Sequence, residues 1–387
     1  MNPKLSIIIP CYNCASTLEE AVSSCFRQGV TSLFEIVMVN DASTDGTANL
    51  LEKLKGLHHE IKVITHQKNQ GGGAARNTAI KHASGDIIFC LDGDDVLPDV
   101  TLSKMASHLE TTKSDGVLIE ETHFFDGTNL GKYQIVKNTI LDRPVTFADL
   151  FRKDCGFLTK VNFMYTKKAH FEAGGYPTNH GFDTQAFGTR FLAKNLRTTV
   201  CTGAAYLHRR HNGASYFIRE YANGKLSFNN YLILEEIFYL FSEKIKEEII
   251  CYDIFKNDTL GGGNIEHRLQ SLFETIGEEA FFIPNYMNYL TCNGNEKYIL
   301  EITHKNEPTD IFTQAVWQYR NKNFAGAYKL FMKITPHYAA YPVYWMNTLR
   351  CFMGDNDVFS VMYTRPSTLD TFIKILKKII NRIKKML

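Results

Sequence analysis

The stretch IIFCLDGDDVL, residues 87–97, runs an apolar segment into three carboxylates, Asp92, Asp94 and Asp95. The apolar part reads as a buried β-strand. Charges at the end of a core strand cost desolvation energy unless something compensates them. Two readings follow: a turn that faces water, or a turn that holds a cation. An Asp-x-Asp turn sends two carboxylates the same way, which suits a hard divalent ion that keeps several waters. The same spacing also describes an ordinary solvated turn.

Working outward, KLSIIIPCYN is a β-branched run ended by a proline and a turn, and STLEEAVSSCFRQ reads as a helix with Ser16 or Thr17 as its cap. FEIVMVNDAS is a second strand, and STDGTANLLEKLKG a second helix ending at Gly56. IKVITH is a third strand, GGGAARNTAIKHA a glycine loop entering a third helix, and DIIFCLDGDD the fourth strand. Strands alternating with helices at this spacing predict βαβ units and a mostly parallel sheet flanked by helices, an α/β fold. Ligands on such sheets bind at the carboxyl ends of strands. The polar clusters fall at those ends: Tyr12 and Asn13, Asn40 and Asp41, Asn69 to Arg76, and Asp92 to Asp95. Together they predict one nucleotide-sized site.

The chain has 387 residues, enough for two or three domains. Hydrophobic residues at 44% and charged residues at 22% exclude a disordered chain. The net charge of +2 carries no nucleic-acid signal. No run of 18 apolar residues predicts a membrane span, and LSIII is too short for a secretory signal. Nine scattered cysteines suit a reducing cytoplasm. Cys11 and Cys14 have the C-x-x-C spacing of a redox pair, against the plainer reading of two small buried thiols.

NQGGGAARN, residues 69–77, lets backbone approach a ligand closely, or makes a tight packing turn. Arg76 adds a donor fork suited to phosphate or to a carboxylate. The loop follows the third strand, not the first, so it is a weak dinucleotide fingerprint.

SIIIPCYN, EIVMVNDASTDGT, NQGGGAARN and FCLDGDD, in this order and spacing, resemble the nucleotide-binding half of family 2 glycosyltransferases with the GT-A fold. The resemblance is specific over residues 4–99 and thinner to about 215. It implies a UDP-sugar donor, with Asp41 on uracil, Pro10, Tyr12 and Asn13 near the base and ribose, and Gly72 and Arg76 in the glycine loop. It places Asp92 at the ribose and Asp94 on Mn2+ or Mg2+ bound to the diphosphate. A carboxylate only accepts hydrogen bonds, so Asp41 would suit the N3–H of uracil; it also reads as an acid at the start of the second helix. The chain has Asn40-Asp41-Ala42-Ser43 where the family often has Asp-Asp-Gly-Ser, and only Asp41 is carried over.

Such enzymes also offer a Glu-Asp pair at a helix start, whose Asp is the general base. The matching segment is HGFDTQAFGTRFLAKN, residues 180–195, where Phe182 replaces the Glu and Asp183 is the base candidate or a helix N-cap. AAYLHRRHNGAS, residues 204–215, resembles the segment that closes over the diphosphate. His211 is preferred to His208 as the metal ligand, and Arg209 and Arg210 are candidates to neutralise the leaving group; the alternative is a solvated basic loop. The implied reaction is inverting, metal-dependent sugar transfer to a glycan or lipid-linked saccharide acceptor. A non-catalytic nucleotide-sugar scaffold and a sugar nucleotidyltransferase are the other two classes.

The expected organisation is a GT-A domain over 1–215, an α-helical domain over 216–370 with a helical hairpin at about 310–353, and a basic helix over 371–387. In that last segment Phe372, Ile375, Leu376, Ile379, Ile380, Ile383 and Met386 recur at helical spacing. Its six lysines and arginines occupy the other face, with no acid. Such a helix suits the plane of an anionic leaflet, which implies a cytoplasmic protein held peripherally on the membrane; a packed C-terminal helix is the alternative.

Overall fold

The structure is a computed structural model that describes residues 4–30, 34–125, 134–155, 158–178, 182–210, 226–252, 265–290 and 307–353. The chain divides into two compact units, Met1–Ser215 and Tyr216–Leu387.

In the first unit the apolar runs form strands β1 (Leu5–Cys11), β2 (Phe34–Asn40), β3 (Ile61–Thr65) and β4 (Ile87–Cys90). β1 pairs in parallel with β2 on one side and β4 on the other, and β2 pairs in parallel with β3. Further along are β5 (Gly116–Phe125), β6 (Ile135–Lys137), β7 (Met164–Thr166) and β8 (Thr198–Arg209). The sheet runs β3-β2-β1-β4-β7-β5-β6, and β8 pairs in parallel with β5. β7 is antiparallel to both β4 and β5, so the sheet is mixed. Ile7 and Ile9 join a core with Leu18, Val22 and Leu51, while the alternate residues Ile8, Val37 and Ile88 are also wholly buried. Helices therefore cover both faces, which is why these strands read as continuous apolar runs.

The helices that position the site are α1 (Leu18–Cys25), α2 (Thr47–Leu57), α3 (Gly72–His82), α4 (Thr101–Thr112), α5 (Lys167–Glu172) and α6 (Asp183–Ala193). The expected cap of α1 is corrected: the Thr17 hydroxyl bonds the carbonyls of Cys14 and Gly93 instead of a helix N–H. That bond ties the helix start to the acidic turn.

The second unit is helical over its described residues, with helices Leu226–Ile237, Glu243–Cys251 and Ile265–Ile276 among them. The hairpin expected at about 310–353 is also corrected. The region holds Pro308–Arg320, Phe324–Lys333, the single turn Thr335–Tyr338 and Pro342–Met353. Pro336 and Pro342 punctuate it, because proline lacks the N–H that a continuing helix needs. Among the described residues no helix is long and apolar enough to cross a membrane.

Candidate active site

β2 and β3 lie to one side of β1 and β4 lies to the other, so the chain switches direction across the sheet between β1 and β4. A crevice forms beyond the carboxyl ends of strands at such a point. The loop after β1 carries Tyr12 and Asn13, and the turn after β4 carries Asp92, Asp94 and Asp95. Tyr12 is 51% exposed, so its ring is open to a ligand, and Pro10 beside it is half-buried in β1.

Asn13 has a different task from the one expected. Its side chain accepts a bond from Thr44 N at 2.8 Å and faces Thr44 Oγ1 at 3.3 Å, and its N–H donates to Ser43 Oγ at 3.1 Å. Its φ of 51° is left-handed, a region asparagine tolerates. Asn13 therefore staples the loop after β1 to the loop after β2.

Asp41 is corrected as well. It is 2% exposed, and its carboxylate accepts from Gln70 N at 2.9 and 3.1 Å, Gly71 N at 2.8 Å and His66 Nδ1 at 2.7 Å. A carboxylate has about four lone-pair sites. The chain's own donors fill them, so the expected contact to uracil has no open acceptor in this arrangement.

Arg76 departs from the phosphate role too. It is 6% exposed, with one terminal nitrogen 2.6 Å from Asp183 Oδ2 and the other bonded to Asp92. Its carbon Cζ stands 5.5 Å from the centre of the Tyr176 ring. Of the two ligands the sequence allowed, carboxylate is the one it takes. Gly72 serves that pair: a Cβ there would fall 2.8 Å from Arg76 and 2.9 Å from Asp183. A Cβ on Gly73 would fall 1.9 Å from the Pro177 carbonyl oxygen, so α3 can pack this closely only with glycine there.

Asp183 is the first residue of α6 and is buried. Its Oδ1 accepts from Thr184 N at 2.9 Å. Burial pushes its carboxyl above the usual carboxylate range, Arg76 opposes that, and Asp92 adds to it. A buried carboxylate with a raised pKa is a suitable proton acceptor at neutral pH.

Under the acidic turn, β8 supplies a support that only the tertiary structure discloses. Val96 and Leu207 form an antiparallel bridge that lays the end of β8 against the turn. Asp95, 1% exposed, accepts from Tyr206 OH at 2.7 Å, Arg209 N at 2.8 Å and His208 Nδ1 at 3.1 Å. Arg209 is buried, donates from Nε to the Asp94 carbonyl at 2.7 Å, and pairs with Glu20. It therefore holds the turn and does not face a leaving group. Arg210 is exposed, lies 4.4 Å from the Phe124 ring centre and donates to Gln134 at 3.0 Å. His211 lies outside the described residues. Cys11 and Cys14 are free and buried, and Cys14 Sγ lies 3.0 Å from where a Cβ on Gly93 would be. The third acid of the turn, Asp95, was a legible signal for this support, whereas His66 and Tyr176 gave none.

The glycosyl transferase family 2 profile matches residues 6–175, which span these strands and loops. Residues 6–175 form a glycosyl transferase family 2 domain. The chain is 22% identical over 223 residues to the glycosyltransferase GlyG of Streptococcus pneumoniae serotype 4, covering 55% of this chain and 73% of GlyG. It is 35% identical over 119 residues to the poly(ribitol-phosphate) beta-N-acetylglucosaminyltransferase TarS of Staphylococcus aureus, covering 30% of this chain and 21% of TarS. The crystal structure of S. aureus TarS superposes with a TM-score of 0.50 at 20% identity, over 90% of this chain and 54% of that one, which shows a shared GT-A fold. This chain thus spans well under two thirds of the length of TarS.

Proposed function

We propose that this chain transfers a sugar from a UDP-sugar to a hydroxyl of a glycan or lipid-linked saccharide, with inversion at the anomeric carbon. The observation that carries the reading is the convergence of the Asp92–Asp95 turn, Arg76 and buried Asp183 at the carboxyl ends of β1 and β4. Tyr12 offers an exposed ring for a base. Uridine is the base that the sequence resemblance implies, and Asp41 no longer argues for it.

The residues at the turn fit a hard divalent ion. Asp94 is half-buried in a turn of carboxylates, and such ions take one or two carboxylates and complete their shell with water and substrate phosphate. Among the described residues no group of three His, Cys, Asp or Glu side chains is placed to hold an ion. When bound, Mn2+ or Mg2+ supplies positive charge that offsets the charge developing on the leaving diphosphate. His211 remains the proposed second ligand on sequence grounds. Arg210, exposed at the end of β8, is the side chain available to bind the departing phosphates. Asp183 takes the proton of the acceptor hydroxyl, and Arg76 holds that carboxylate in place. In-line attack from the side opposite the UDP gives inversion.

Release of nucleotide is expected to be fastest with a UDP-sugar when uridine, guanosine and cytidine nucleotide sugars are compared. Excess EDTA is expected to slow that release at least about tenfold, a loss of electrostatic stabilisation of the leaving group. Faster release from a GDP- or CDP-sugar would overturn the donor. Full rate in EDTA would overturn the metal.

The tail 371–387 lies outside the described residues, and its sequence supports the proposal that it binds an anionic membrane surface. Each basic residue near such a surface adds about 1 kcal/mol. Chains lacking 371–387 are expected to stay in the supernatant of anionic liposomes that sediment the full chain at low salt. Equal sedimentation of both would refute this.

A further inference from the structure

The Asp41 carboxylate joins three segments that are far apart in sequence. It ends β2, its acceptor sites receive Gln70 N and Gly71 N from the glycine loop, and His66 just after β3 donates to it from Nδ1 at 2.7 Å. The other ring nitrogen of His66 lies 2.9 Å from Thr78 Oγ1, on the helix that follows that loop. The His66 side chain is 8% exposed and that of Asp41 3%. His66 N also donates to the Asn40 carbonyl at 2.9 Å, which fixes the residue to the end of β2. Gly71, held by Asp41, precedes α3 with a φ of 89°; its N–H also meets Asn69 Oδ1 at 3.1 Å, and its carbonyl accepts from Ala75 N at 3.0 Å in the first turn of the helix. Four residues into α3, Arg76 meets Asp92 and Asp183.

We propose that His66 is a positioning residue for sugar transfer. It orients the Asp41 carboxylate so that both oxygens take the Gln70 and Gly71 amides, which fixes the glycine loop and, through α3, the Arg76 fork between Asp92 and Asp183. The carboxylate can only accept, so Nδ1 carries the proton that faces it. Nε2 meets the Thr78 hydroxyl, which tethers the far side of the ring to α3. His66 has no contact with substrate in this role. The inference rests on the transferase reading for its consequence and on the hydrogen bonds alone for its structure.

Asparagine puts an amide N–H close to the place of Nδ1, whereas glutamine puts one close to the place of Nε2. His66→Asn is therefore expected to keep the clamp, and His66→Gln to lose its Asp41 arm. Amide hydrogen exchange at Gln70 and Gly71 is expected to rise about tenfold or more in His66→Gln and to stay within about threefold of wild type in His66→Asn, the scale of one hydrogen bond to a charged group. The donor KM is expected to rise about tenfold in His66→Gln and to be restored in His66→Asn, following the same bond. Thr78→Val, which removes only the far arm, is expected to lie between them in both readouts. Equal behaviour of the Asn and Gln variants, or unchanged exchange at Gln70 and Gly71 in His66→Gln, would overturn the proposal. A wild-type protein that turns over no nucleotide sugar would overturn the transferase reading instead, and the exchange measurements would still decide the clamp.

Discussion

Replacing Asp183 by asparagine is expected to cut sugar transfer at least ~100-fold while UDP-sugar affinity stays within a few-fold, the usual scale for a lost general base. The substitution keeps the shape of the side chain and an oxygen that can accept from Arg76, so the packing around α3 and α6 survives. It removes the charge and the basic lone pairs. A second readout separates the base from a merely structural partner of Arg76. Burial raises the Asp183 pKa, and the base must be ionised to work. Wild-type activity is therefore expected to fall as pH drops through that raised value, giving an acidic limb above the ordinary carboxylate range. The variant is expected to lack that limb. Transfer within tenfold of wild type would place the base elsewhere, with Glu172 on α5, now paired with Lys168 at 3.3 Å, as the next candidate.

The second large effect concerns stability against acid. His170 on α5 is 3% exposed and stacks among Tyr165, Tyr176 and Phe187, at ring-centre distances of 6.0, 5.8 and 5.4 Å. Its Nδ1 is buried with no hydrogen-bond partner. Burial, with a smaller push from Lys167, lowers its pKa from 6.5 to about 4. Between those two values the unfolded chain binds a proton that the folded chain refuses. Stability is therefore expected to fall as pH drops from about 6.5 to about 4, by about 3 kcal/mol in all and about 2 kcal/mol of it by pH 5. His208 works in the opposite sense. Burial pulls it down, but Asp95 pulls harder and lifts it to about 9, so its contribution is present at low pH and lost as pH rises towards 9. The contrast between wild type and His170→Phe isolates the His170 part. Urea unfolding at pH 7 and pH 5, followed by far-ultraviolet circular dichroism, is expected to show the wild type losing about 2 kcal/mol more than the variant. Equal losses would refute it. The ring cluster also backs Arg76 through Tyr176, so acid that breaks it takes the site with it.

The family 2 character of the first domain, the α/β class and the positions of β1 to β4 were all legible in the residues. A strand buried on both faces is apolar over most of its length, and a turn or glycine loop must interrupt it, so local composition alone marks these elements. The acids of LDGDD and the base candidate Asp183 were legible for the same reason, since each sits where an element begins or ends.

What each polar group bonds to was not legible, because its partners are distant in the chain. Arg76 meets Asp183 across 107 residues, and Arg209 meets the Asp94 carbonyl across 115. Sequence alone could name Arg76 as a fork for phosphate or carboxylate, and only the packing of α3 on α6 chose the carboxylate. Likewise Asp41 could face uracil or its own chain, and the closeness of the third strand's end and the glycine loop decided for the chain. A carboxylate has few acceptor sites and a buried one cannot leave them empty, so the fold that brings donors nearest decides which role remains.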